Sequence, residues 1–231
     1  MVDTTFLAQF LAVALFAACL LHSWNTEGRR AAQQWFLVGY MFALLLVNLL
    51  VVIEQITYNP ALLVIGAAPS LLVMFFPALW YLGYTIAKFF ADENDLRAMM
   101  YWMFLLTPAL MLPLDAVALQ LGWWAFPSES YNFLNGVPFY APIAWGAIAA
   151  MFMYMMGRIR KIRFRGNGQF FAMVIAAPLL DALALVVIAI IQIVVNTLAV
   201  LGGVGLLYGA LAVLYIALPL ALAFRWQRNE H

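Results

Sequence analysis

Charge is scarce in this sequence. Of 231 residues, only 9% are Asp, Glu, Lys or Arg, whereas an ordinary soluble domain carries about a quarter. Water is therefore not the main solvent of the folded chain. Cysteine is nearly absent too: Cys19 stands alone, so an intrachain disulfide is excluded. The net charge of +1 leaves no basic surplus with which to bind nucleic acid. His22 and His231 are too few and too far apart to build a metal site with the acids. No glycine-rich phosphate loop is present, and nothing in the sequence requires a metal, a redox group or any other cofactor. The opening residues, Met1-Val2-Asp3-Thr4-Thr5, lack the basic region of a secretory signal, so the first apolar segment is expected to be a retained span.

Apolar residues make up 68% of the chain. A transmembrane helix needs about 20 mostly apolar residues, and helices are the open-ended way to satisfy a backbone in lipid. Spans are expected near 4–22, 34–57, 61–90, 98–121 and 137–157, with a tight Tyr58-Asn59-Pro60 turn before the third. The stretch from Phe170 to Phe224 is too long for one span. Gly202-Gly203-Val204-Gly205 divides it into a sixth and a seventh. The expected fold is an all-α polytopic membrane bundle of about seven helices, forming one integral membrane domain over 1–231.

The basic residues orient it. Arg29 and Arg30 lie between spans one and two. Lys88 and Arg97 bracket the connection from three to four. Arg158, Arg160, Lys161, Arg163 and Arg165 lie between five and six, and Arg225 and Arg228 follow seven. All fall on one side of a seven-span path, so the positive-inside rule puts the N-terminus outside and the C-terminus in the cytoplasm. The expected location is the cytoplasmic membrane of a bacterium or archaeon. A retinal photoreceptor shares this topology. Here, however, span seven has no lysine and neither lysine sits at a bilayer centre, which excludes a retinal Schiff base.

A weak repeat runs through the chain. Phe76-Pro77-Ala78-Leu79-Trp80 echoes Ala141-Pro142-Ile143-Ala144-Trp145, and each follows a span bearing an acid. Pro113-Leu114-Asp115-Ala116 likewise echoes Pro178-Leu179-Leu180-Asp181-Ala182. The pattern suggests one leading helix followed by three related hairpins.

Three carboxyls fall inside expected spans: Glu54 near the outer end, Asp115 in the outer half and Asp181 near the middle. An acid at the centre of a helix costs about 2.5–3.5 kcal/mol on insertion scales. No Lys or Arg is available in the membrane to pair with them, so apolar surroundings favour the neutral acid. A neutral carboxylic acid in a dry site is a proton donor, which protonation of a carbon–carbon double bond requires. The plain alternative is an acid hydrogen-bonded to its surroundings. Proline stands shortly before both aspartates and can open a helix beside them. Asp181, Gln192 and Asn196 are expected near one helical face, and Asn48 is a further buried amide that suits helix packing. The outer loop Gly122-Trp123-Trp124-Ala125-Phe126 through Tyr131 is aromatic. It reads either as an interfacial belt or as a lid over a pocket. Aromatic faces stabilise cations, so Trp80, Trp123, Trp124, Tyr131 and Trp145 are candidate substrate-binding residues beside the candidate catalytic acids Asp115, Asp181 and Glu54.

One stretch of this sequence resembles a known family. Leu114-Asp115-Ala116-Val117-Ala118, Gly122-Trp123-Trp124, Tyr131, Gly136-Val137-Pro138-Phe139 and Trp145 are similar to the corresponding motifs of the CruF-type membrane-bound carotenoid biosynthesis proteins. The resemblance covers roughly residues 50–150. It implies a hydratase that adds water across the terminal double bond of an acyclic carotenoid. Ala116 stands where the family has proline, and Tyr140-Ala141-Pro142 where it tends to have Asn-Phe. The glycine-rich, aromatic element that usually follows the first acid is missing near Glu54. A weaker likeness, through Glu54, is to membrane-bound meroterpenoid cyclases, which share proton-initiated polyene chemistry. The partners expected are a hydrophobic isoprenoid or polyene and membrane lipid. A transporter with buried acids is the rival reading from another class.

Overall fold

The computed structural model describes residues 4–60, 62–127, 132–133, 136–162 and 167–217. Among them, six helices are long and apolar enough to cross a membrane. They are α1 (Thr4–Thr26), α2 (Arg29–Val52), α3 (Ser70–Ala87), α4 (Leu96–Gln120), α5 (Tyr140–Lys161) and α6 (Gly168–Ala212, followed by a π turn to Ala217). Their outer faces are apolar: Phe6, Ile175, Leu179 and Val200 are each more than two-thirds exposed. A soluble protein of this size rarely exposes so continuous an apolar surface. Such a surface suits helices that face lipid.

Local chemistry sets the ends. Gly28 (φ 90) breaks the chain between α1 and α2. Asp95 caps α4, its Oδ1 accepting from the backbone N–H of Arg97 at 3.0 Å and Ala98 at 3.1 Å. Within α2, Gln34–Val38 form a π turn. The single stretch expected to hold spans six and seven is helical throughout except at Gly203, where φ 68 and ψ −178 break it within the glycine cluster. Beyond that break the chain packs against the start of α5. Tyr208 meets Phe139 edge-on, and the Tyr215 hydroxyl donates to the Pro142 carbonyl at 3.1 Å.

The first two helices meet closer together than expected, α1 running to Thr26 rather than 22 and α2 starting at Arg29 rather than 34, and two further ends differ. The second span, expected to reach residue 57, stops at Val52. The third begins at Ser70 rather than near 61. The residues between them form short strands: β1 (Thr57–Tyr58) and a hairpin of β2 (Val64–Ile65) with β3 (Ala68–Pro69). Asn48 holds this hairpin. Its Oδ1 accepts from Ala67 N at 2.5 Å, and its Nδ2 donates to the Ile65 carbonyl at 3.2 Å. After α4 the same order recurs, with β4 (Trp124–Ala125) followed by β5 (Asn132–Phe133) pairing β6 (Val137–Pro138). β1 and β4 pair antiparallel, tying the connection between α2 and α3 to the one between α4 and α5.

Helix α3 sits centrally, packed by α1, α2 and α4, while α5 lies between α4 and α6. The centre is aromatic. Trp80 stacks on Phe76 at 5.4 Å and Phe152 at 4.8 Å, with Phe42 at 5.4 Å, and Phe152 reaches Trp35 at 5.6 Å. All the described Lys and Arg gather at one end of the bundle. There Lys88 bonds Glu27 at 2.7 Å and Arg160 donates to Gln34 at 2.8 Å.

Candidate active site

Asp115 lies in the last third of α4 and is 1% exposed. In a helix the Cα–Cβ bonds tilt toward the N-terminus. Because α4 and α5 run antiparallel, Asp115 and Trp145 lean toward each other. The Trp145 indole Nε1 donates to Asp115 Oδ2 at 3.0 Å. Trp124 lies near enough to act on the same carboxyl. One indole N–H therefore bonds this buried acid, with a second tryptophan beside it.

The sequence prepares this contact from both sides. Pro108 has no N–H to give the carbonyl four residues earlier, that of Phe104. Gly146, beside Trp145, packs on that carbonyl so closely that a Cβ there would collide with the oxygen. It would also come within 3.0 Å of the Phe104 ring and 3.2 Å of Pro108 Cγ. A missing donor in one helix and a missing side chain in the other bring α4 and α5 together at the level of Trp145.

Trp124 reaches the acid because α4 ends in a tight reversal. Gly122 takes the left-handed conformation (φ 65). Its N–H donates to the Leu119 carbonyl at 3.2 Å, and that of Trp123 to Ala118 at 2.8 Å. This is a Schellman cap. It turns the tryptophans back over the helix, and the β1–β4 pairing holds them there. Trp123 and Trp124 are both buried, so they pack inward rather than facing the headgroup layer. Tyr131 lies outside the described residues.

The ring cluster continues from the acid. Trp145 lies 5.1 Å from Phe76, which stacks on Trp80. The two tryptophans of the repeated motif are thus joined through one phenylalanine. The Trp80 indole nitrogen has no hydrogen-bond partner among the described residues. On the other side of Trp145 is a cavity of about 10 Å³ lined by residues including Gln55, Phe126, Tyr140 and Ile188. Space of this size holds about one water molecule.

The remaining acids stand apart from this constellation. Glu54 is exposed, just past the end of α2, with φ 58. Its N–H donates to Val51 at 3.0 Å and that of Gln55 to Leu50 at 2.9 Å, which is again a Schellman cap, built without glycine. Glu54 therefore serves as the reversal residue, and its neighbour Gln55 turns inward instead. Gln55 accepts a hydrogen bond from Gln192 Nε2 of α6. Asn196, expected on the same face as Gln192, is exposed. Asp181 belongs to a buried stripe of α6, with Ala177 before it and Ala184 and Ile188 after. It is 1% exposed, and neither carboxyl oxygen has a hydrogen-bond partner among the described residues.

Sequence reasoning missed Gln55 and Phe76 as site residues, while Phe126 was already part of the aromatic loop. Phe76 carried a signal, since it precedes the proline of the repeated Pro-x-x-Trp motif. Gln55 carried none, because one left-handed residue decides whether position 54 or 55 faces the bundle. The chain matches no protein-family model, no curated protein and no solved structure.

Proposed function

We propose that this chain is a membrane-embedded isoprenoid-modifying enzyme in which Asp115 protonates an end-group alkene and water captures the resulting cation. The observation that carries this reading is the buried Asp115 carboxyl held by the indole of Trp145, with Trp124 beside it and Phe76 and Trp80 behind. The neutral acid gives its proton to the less substituted carbon of a trisubstituted double bond. The π electrons form the new C–H bond, leaving a tertiary cation and an Asp115 carboxylate. The Trp145 indole N–H stabilises that carboxylate as it forms. The aromatic faces shield the cation. A water molecule adds through oxygen, and the proton it loses returns to Asp115, so the net reaction is hydration. The cavity beside Trp145 supports water as the terminating nucleophile. An internal alkene in its place would make the enzyme a cyclase.

Other features agree. An apolar groove of about 180 Å³ runs between the start of α5 and the two parts of α6, lined by residues such as Ile143, Ile191, Val195 and Leu211. Its aliphatic walls suit a polyprenyl chain. The likeness to carotenoid hydratases rests on the motif residues around Asp115 and Trp145. The break at Gly203, the return of the chain along α5 and the gathering of Lys and Arg at one end support seven spans with the N-terminus outside. Asp115 and its indoles then lie toward the outer leaflet. Stacked rings fill the bundle centre below them, where a transport route would need polar walls.

The test is conversion of an acyclic carotenoid by membranes containing equal amounts of wild type, Asp115→Asn and Asp181→Asn. The amide retains the shape of the acid and can still accept a hydrogen bond from Trp145, but has no acidic proton. Asp115→Asn is expected to lose about 10²–10⁴-fold in rate. Wild-type rates in Asp115→Asn would remove the acid-initiated mechanism at this position. No conversion by wild type would remove the hydratase reading.

A further inference from the structure

The cavity beside Trp145 has walls of two kinds. Leu50, Ile56, Ala144 and Ile188 are apolar, while Gln55 brings a side-chain amide. The polar group of Trp145, its indole N–H, is already given to Asp115. Gln55 reaches this wall at a conformational cost. Glu54 before it takes the left-handed conformation (φ 58), which residues with a Cβ disfavour. Such strain persists where the surrounding structure demands it, and it gathers at functional sites. Here it turns Gln55 toward the bundle and leaves Glu54 exposed.

A second amide fixes the first. Gln192 follows Ile188 by one turn of α6, so the two share a helical face. Gln192 Nε2 donates to Gln55 Oε1. The carbonyl end of the Gln55 amide is thus engaged. Its NH₂ end forms no hydrogen bond among the described residues and is left for a molecule in the cavity. A tie between the end of α2 and α6 would account for the bond between the amides. It would not account for the space beside them.

A cavity of this size holds water only where polar groups line it. The Gln55 N–H donates to one lone pair of the water oxygen and leaves the other to face the cation. The O–H groups of the water remain to be donated, and the Asp115 carboxylate left by the first step takes the proton. Trp145 belongs to both places, since its ring lines the cavity and its N–H bonds the acid. We infer that Gln55 holds the water nucleophile, with Gln192 as its positioning residue, and that the pair decides whether the cation ends as an alcohol or as an alkene. This inference rests on the acid-initiated reading of Asp115. Without the held water the cation has another exit. A carbon next to the cationic centre returns a proton to the Asp115 carboxylate, its C–H electrons re-form a double bond, and no water is added.

The test incubates lycopene, an acyclic carotenoid with trisubstituted end groups, in D₂O. The membranes contain equal amounts of wild type, Gln55→Leu, Gln192→Leu or Asn196→Leu. Mass spectrometry reads the alcohol formed and the deuterium in the recovered alkene. Deuterium in the alkene reports protonation without capture by water. Gln55→Leu is expected to lose about three- to tenfold in alcohol, as the loss of one hydrogen bond implies, while deuterium accumulates in the alkene. Gln192→Leu leaves the amide in place but lets it rotate, so a smaller loss in the same direction is expected. Asn196→Leu, exposed one turn further along α6, is expected to match wild type. A wild-type alcohol yield in Gln55→Leu would overturn this inference and leave the Asp115 reading standing. A joint loss of alcohol and deuterium in both glutamine variants would also overturn it, because the pair would then serve the fold or the acid. Deuterium without alcohol in wild type would overturn it alone. Neither product from wild type would remove the Asp115 reading and this inference with it.

Discussion

The close approach of α4 and α5 predicts that one methyl group at Gly146 disturbs both stability and the Asp115 contact. In Gly146→Ala the new Cβ meets the Phe104 carbonyl oxygen, with the Phe104 ring at 3.0 Å and Pro108 Cγ at 3.2 Å. None of the three yields easily. The oxygen belongs to helical backbone, the proline ring is rigid, and the Phe104 ring stacks on Tyr215 at 5.9 Å and 6°. The helices must separate by several tenths of an ångström. Overpacking of this kind costs about 1–3 kcal/mol, and the better helix propensity of alanine returns about 0.5–1 kcal/mol. The expected net loss is about 1–2 kcal/mol. The Trp145–Asp115 hydrogen bond, now 3.0 Å, lengthens toward the limit of a normal bond. Gly209→Ala is the matched control. Nothing lies within 4 Å of a Cβ there, so the same substitution is expected to stabilise by about 0.5–1 kcal/mol through helix propensity. The assay is equilibrium unfolding in mixed micelles, followed by tryptophan fluorescence. Opposite signs for the two variants are required. A Gly146→Ala protein as stable as wild type would refute the reasoning that Pro108 and Gly146 together set the α4–α5 distance.

Three further outcomes are expected. Glu54→Gly keeps full activity and gains about 1 kcal/mol, because glycine takes the left-handed conformation without the cost borne by other residues; a large loss of conversion would return Glu54 to the catalytic set. Burial works against the Lys88 ammonium, but its hydrogen bond to Glu27, with the nearby Tyr84, Glu27 and Glu93, holds its pKa above the ordinary lysine value. The resulting stabilisation, up to about 1 kcal/mol for a partly exposed pair, is complete below the unfolded lysine pKa of about 10.4 and is lost as pH rises through the folded value. Unfolding of wild type and Glu27→Gln is therefore expected to differ near neutral pH and to converge in strong alkali; a difference that grows with pH contradicts the pairing. Finally, reporter fusions after Asn59 and Leu201 are expected to report the outside, and those after Arg30 and Asp95 the cytoplasm; a cytoplasmic signal after Asn59 would overturn the orientation.

Much of this protein could be read from composition and order alone. A chain with 68% apolar and 9% charged residues has to place its surface in lipid, whatever its tertiary fold. Approximate positions of the spans follow from apolar run length, and the glycine cluster around Gly203 marks the break in the last stretch. The cost of facing an acid toward lipid was enough to turn Asp115 and Asp181 inward. Asp115 and Trp145, both candidates from sequence, meet in the fold through one hydrogen bond.

Other features needed the fold. The strands before α3 and α5 are two residues long, too short for any alternating pattern, so β2 and β3 were hidden inside an apolar run read as helix and β4 and β5 inside a stretch read as loop. The inward turn of Gln55 in place of Glu54 depends on a single left-handed residue. The joining of Trp80 to Trp145 through Phe76 depends on how α3 meets α5. Above all, the reach of Trp145 to Asp115 requires two helices to touch where Pro108 frees a carbonyl and Gly146 lacks a side chain. Run length and charge act along one segment at a time, so they are legible in sequence. Contact distance is a property of two segments together, and only their packing decides it.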